Sequence, residues 1–222
     1  MSCKLQYVRG ALGWLLTRIC AGPREFCCDG QSYHYFTHWY NFTAFNERRV
    51  EIPIAWQVVQ SCAGAGAVLE VGNVLSHYGV VHHDVVDKYE KSTYPGLMRA
   101  DAETVETGKQ YDLIVSISTF EHVGWDEEPR DDAKLMRTIA HLRRLLKPQG
   151  VLFFTVPLGY NAVFDRLLAA GELAAGKMLF LRRVSWANTW IEAPYAAVRA
   201  ATFNAPYPFA NALAVGWLGP LA

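Results

Sequence analysis

Apolar residues fall in short unbroken blocks, each stopping at an acid, a serine or a glycine. Val68-Leu69-Glu70-Val71-Gly72-Asn73 is the first, Val85-Val86-Asp87 the second, Tyr111 to Ser118 the longest, and Val151 to Pro157 the last of the set. Runs without alternation suit parallel strands buried on both faces. A further short strand ends at Met98-Arg99, ahead of Asp101-Ala102-Glu103. Lys134 to Lys147 reads as a helix that stops at Lys147-Pro148-Gln149-Gly150, and Asp165 to Gly176 as another. Phe180 to Val184 reads as a strand in a region expected to supply the antiparallel edge of the sheet, and the tail Ala210 to Gly219 is apolar enough to need a packing partner. The pattern predicts an α/β domain, a mostly parallel sheet with helices on both faces.

The first 66 residues lack this strand rhythm and predict an N-terminal helical, aromatic-rich cap within the same domain, with the core spanning 67–222. Tyr33, Tyr35, Phe36, Trp39, Tyr40, Phe42 and Phe45 crowd into one stretch, which suits either core beneath the cap or the wall of an acceptor pocket. Arg48 and Glu51 precede an apolar helix at Ile52 to Trp56, and their forked polar groups are substrate candidates for sugar hydroxyls or simply a solvated helix start. Ser61 to Ala67 is small and flexible, and marks the boundary with the sheet.

Charge narrows the partners. Lys plus Arg number 21 and Asp plus Glu number 21, so nothing in the net charge calls for nucleic acid. The apolar stretch Gly10 to Leu16 is too short for a membrane span and is interrupted soon after by Arg18, so it is expected to be an amphipathic helix. Five cysteines without paired spacing point to reduced thiols and a cytoplasmic protein.

The chemistry gathers at the strand ends, where open α/β sheets bind ligands. Gly72 allows the chain to turn with its backbone against a ligand. Asp87 follows by 15 residues (87 − 72), so the first crossover helix must be short. Beyond the longest strand lie Ser118, Glu121 and His122, and imidazole suits removal of a proton near neutral pH. The other role open to His122 is to hold the loop. Five acids in the seven residues Asp126 to Asp132 either hold a magnesium ion, with Asp126 and Glu127 as ligands, or cap the following helix. Trp125 and Tyr160 are placed to meet a substrate.

The acid and glycine after the first strand, Asp87, Asp101-Ala102, Ser118 to His122 and Leu145-Leu146-Lys147-Pro148-Gln149-Gly150 together resemble the class I S-adenosylmethionine-dependent methyltransferases. The resemblance covers about residues 67 to 160 and implies a Rossmann-like fold. It also implies cofactor contacts from Glu70, Gly72, Asn73, Asp87, Asp101, Ala102 and Ser118, with His122 and Glu121 catalytic. The chain departs from the family's glycine-rich turn by placing Val74 where the second glycine would stand. The chain also resembles the magnesium-assisted sugar O-methyltransferases, including those that modify methylated mannose oligosaccharides, which implies a small-molecule or oligosaccharide acceptor. Other acceptors, a binding module without catalysis and a homodimer all stay open.

Overall fold

The computed structural model describes residues 24–62, 66–92, 95–173 and 175–219. The predicted helix at Gly10 to Leu16 and residues 63–65 of the boundary segment lie outside them. A hairpin of β1 (Glu25–Cys28) and β2 (Gln31–His34) comes first, followed by helix α1 (Arg48–Cys62). The cap is therefore part hairpin, not wholly helical, because Asp29 and Gly30 both take positive φ and reverse the chain.

The sheet then runs β3 (Val68–Val71), β4 (Asp84–Val86), β5 (Leu97–Met98), β6 (Tyr111–Ile117), α2 (Lys134–Arg144), β7 (Leu146–Pro157), α3 (Ala162–Ala169), β8 (Lys177–Arg183), β9 (Trp190–Glu192) and β10 (Ala212–Leu218). Its spatial order is β5-β4-β3-β6-β7-β10-β8-β9. The first five are parallel, and β10 pairs antiparallel to both β7 and β8. The apolar tail finds its partner by inserting between those two strands, rather than by lying on the surface.

Adjacent residues of the central strands serve opposite faces. Val68, Val115, Ile117 and Phe153 pack with Val50, Ile54, Ala55 and Val59 of α1. Leu69, Ile114 and Phe154 pack with Leu135, Ile139 and Leu142 of α2 and with Phe164 and Leu167 of α3. Each fully buried Val, Leu, Ile or Phe here contributes about 1.5–3 kcal/mol relative to exposure, so both helical layers are held chiefly by this surface.

The link from β3 to β4 holds only a 3-10 turn, Leu75–His77, where a short α-helix was expected. Glu70 caps that turn: its Oε1 accepts the amides of Val74 and Leu75, both at 2.8 Å, first-turn donors that have no acceptor within the turn itself. Beyond the carboxyl end of β7, α3 starts where Asn161 accepts the amides of Val163 and Phe164. It ends at Ala169, ahead of the expected Gly176.

Candidate active site

Chain order reverses between β3 and β6, so their carboxyl ends leave a crevice between them. A cavity of about 320 Å³ opens there, near the lower limit for small-molecule sites. Val71, Val86, Ala102 and Val123 give it apolar walls, while Gly72, Asn73, Asp87, Asp101, His122, Asp126 and Glu127 all line it. Sequence reasoning had missed Lys88, Tyr89 and Thr119, which also line it. Their signal was adjacency: two follow Asp87 directly and one lies between Ser118 and Glu121. Another cavity of about 340 Å³, lined by Trp56, Val68, His82 and His83, lies at the opposite end of β3 and away from these strand ends.

Gly72 has φ +82°, and its amide donates to the Val86 carbonyl at 2.8 Å. Asp87 fixes the same turn, since Oδ2 accepts the Asn73 amide at 2.9 Å while Oδ1 accepts those of Tyr89 and Glu90 at 2.8 and 2.9 Å. A carboxylate has about four acceptor positions, so Asp87 retains one for a ligand. Asp101 is held from another side, by Lys134 Nζ at 2.7 Å and Lys88 Nζ at 3.0 Å. Burial alone would raise its carboxyl, but the two ammonium groups and the Glu103 amide hold it at about 2.

His122 is half-exposed at the cavity rim, with Nδ1 2.5 Å from Asp126 Oδ2. The Tyr160 hydroxyl donates to the same oxygen at 2.7 Å, and its ring meets the imidazole edge-on at 5.1 Å. Burial tends to raise the Asp126 carboxyl, yet the hydrogen bonds from His122 and Tyr160 keep it below the usual range. Glu127 Oε2 lies 2.6 Å from Lys134 Nζ and 3.4 Å from Lys88 Nζ. Thus Asp126 and Glu127 each serve a protein partner. Among the described residues no group of three or more His, Cys, Asp and Glu side chains is placed to hold a metal ion, so the magnesium expectation gains no support.

Several predicted residues sit outside this cavity. Glu70 is buried beneath the turn and pairs with His83 at 2.8 Å. Ser118 turns away and donates to Glu51 Oε1 at 2.5 Å, an oxygen that also accepts from Thr155 at 2.7 Å. Arg48 Nη1 bonds Glu51 Oε2 and the Ile117 carbonyl, both at 3.0 Å. Arg48 and Glu51 therefore brace the end of β6 from behind instead of standing in solvent. Trp125 stacks under Arg130, whose guanidinium carbon is 3.5 Å from its ring centre. Among these outliers, Glu121 alone lies close to the rim, with Oε1 3.6 Å from His122 Nε2.

Strand order, switch-point cavity and acid-bearing strand ends define a ligand-binding α/β domain of the methyltransferase class. A family described as "Methyltransferase domain" matches residues 62–154, so this segment is similar to the class I S-adenosylmethionine-dependent methyltransferases. No curated protein matches the chain. Similar solved structures include the N-methyltransferase NodS from Bradyrhizobium japonicum WM9 in complex with S-adenosyl-L-homocysteine, at 14% identity, TM-score 0.47, 76% of this chain and 86% of that one. The TehB-like SAM-dependent methyltransferase from Corynebacterium glutamicum is 19% identical, TM-score 0.40, over 75% of this chain and 86% of that one. The sugar N-methyltransferase KedS8 from Streptoalloteichus sp. is 15% identical, TM-score 0.41, over 77% and 87%.

The donor set fits the cofactor this family implies. Apolar walls suit an adenine ring, the one free position on Asp87 suits a ribose hydroxyl, and Gly72 and Asn73 bring backbone close to the cavity. Among the described residues the site lacks one expected device, a helix N-terminus after β3.

Proposed function

We propose that the chain is an S-adenosylmethionine-dependent O-methyltransferase whose acceptor is a hydroxyl of a small carbohydrate or glycan-related molecule. S-adenosylmethionine, when bound, supplies an electrophilic methyl group on a sulfonium. In this reading Asn73, Asp87, Asp101 and Ala102 orient it, with Gly72 supplying the turn. The observation that carries the reading is the His122–Asp126 pair at the rim of that same cavity. A carboxylate on Nδ1 fixes the tautomer that leaves Nε2 free to take a hydroxyl proton, and it stabilises the imidazolium that results. A hydroxyl placed there would give its electron pair to the methyl carbon as the carbon–sulfur bond breaks and its electrons return to sulfur, leaving S-adenosylhomocysteine, while His122 holds the proton. Tyr160 holds Asp126 in place.

Calorimetry with S-adenosylhomocysteine tests the cofactor half, comparing the protein with its Asp87→Ala variant. Micromolar binding weakened in the variant supports the assignment. A second reading, a binding module of this fold without catalysis, is favoured by Asp101 being spent on two lysines and by Val74 at the glycine position; absence of binding to either protein would select it. His122→Ala tests the other half. It should lower turnover by roughly 10²–10⁴-fold with cofactor affinity unchanged, and full activity in that variant would remove His122 from the reaction.

A further inference from the structure

Glu121 is buried, and its one ion-pair contact among the described residues is the half-exposed His122, whose Nε2 lies 3.6 Å from Oε1. Glu121 is 2% exposed, and its Oε2 has no hydrogen-bond partner. Two more buried carboxyls lie around it. Glu51 is fully served by Ser118, Thr155 and Arg48, while Glu47 Oε2 accepts the Ala210 amide at 3.1 Å. The guanidinium among them is that of Arg48. Arg183, which also faces Glu47, spends Nη1 on the carbonyls of Phe45 and Pro208. Tyr78 faces Arg48 and Glu51 and brings no positive charge.

Three carboxyls thus surround one well-placed cation, and the orphan oxygen belongs to the one nearest the rim. A buried carboxyl without a counter-charge costs several kcal/mol unless it is protonated or paired. Burial foremost, and then the repulsion of Glu51 and Glu47, pushes the Glu121 carboxyl well above its ordinary range, and Glu47 shifts the same way. A second cation would relieve both. Glu121 Oε1 is 3.6 Å from Nε2 of the half-exposed His122, which lines the cavity.

We infer that Glu121 is the ammonium-binding acid of the acceptor site, so that the acceptor is an amino alcohol with its primary amine one or two carbons from the methylated hydroxyl. That spacing follows from the closeness of the two protein atoms: one ligand face must present an ammonium to the carboxylate and a hydroxyl to the imidazole. The hydroxyl half rests on the proposed role of His122; the ammonium half does not.

The test is calorimetric binding of glucosamine and of glucose at neutral pH, in the presence of S-adenosylhomocysteine, to the full chain and to Glu121→Gln. Glucosamine should bind the unaltered protein at least about tenfold more tightly than glucose, as expected for a hydrogen bond to a charged group, and Glu121→Gln should erase the difference. Equal affinity, no binding of glucosamine, or a preference that survives in the variant overturns the inference. Should glucosamine be preferred while S-adenosylhomocysteine fails to bind, the cofactor reading falls and the ammonium site stands.

Discussion

Gly72 and Thr119 compete for one volume: the space that a Cβ on Gly72 would enter is filled by the Thr119 side chain. The glycine is thus required by packing between the ends of β3 and β6 as well as by its φ of +82°. Gly72→Ala should lose roughly 1–3 kcal/mol from backbone strain alone, and more from the clash. Thr119→Gly in the same chain should restore the clash part only. Chemical denaturation of both single variants and the double variant gives the coupling, and strict additivity would show that the two residues do not share the space.

Asp126 acts through His122, so its removal should look different from removal of the base. Asp126→Asn keeps a hydrogen-bonding shape but removes the charge facing Nδ1, and turnover should fall by about tenfold or more with KM for the cofactor unchanged. Tyr160→Phe should fall less, since it frees only one of the bonds on that carboxylate. Separate measurement of kcat and cofactor KM distinguishes these from mere loss of structure, because Asp126→Asn should lower kcat alone. A variant that loses cofactor affinity in the same proportion would leave Asp126 a structural residue.

The parallel strands were legible because unbroken apolar runs have few other homes than a sheet covered on both faces. Val68–Val71 and Tyr111–Ile117 stand where the pattern put them, whereas the strand expected from Val151 to Pro157 already begins at Leu146, because the helix expected to reach Lys147 ends at Arg144. The cavity acids were legible too, because Asp87 and Asp101 follow directly on strand ends. What sequence could not show was occupancy of their lone pairs. Asp87 spends three positions on local amides and Asp101 meets Lys134 from a helix more than thirty residues away in sequence. Arg48 and Glu51 were misplaced for the same reason. A charged pair at a helix start looks solvated until the fold brings Ser118 and Thr155 against it. The hairpin Glu25–His34 escaped notice because its short strands carry little apolar periodicity.

The lysine network makes the cavity acid-sensitive. Asp101 is held at about 2 in the folded chain, below the roughly 3.9 of a free aspartate. The sign follows: the unfolded chain binds the proton first, so this contribution is whole above about pH 4 and is lost as pH falls through about 2. Lys134 also pairs with Glu127, whose carboxyl is lowered as well, so both acids weaken in the same direction. Asp101→Asn should be less stable than the unaltered chain at neutral pH, and the gap should close toward pH 2. Denaturant midpoints across that window measure it, and a constant gap would mean that the lysines contribute nothing through Asp101.

Glu121 carries the opposite sign. Its folded carboxyl is raised, first by burial, so the folded chain holds a proton that the unfolded chain releases above about pH 4.3. Stability therefore falls as pH rises from that value toward the folded one, and levels beyond it. Glu121→Gln removes the titration while keeping nearly the same shape. The variant and the unaltered chain should be alike at pH 4, and the variant should gain a stability advantage that widens as pH rises. Saturating glucosamine should narrow that advantage if an ammonium group neutralises the carboxylate. Thermal midpoints at several pH values, with and without the amine, decide it: an advantage that is flat in pH would mean that Glu121 already has a counter-charge within the protein.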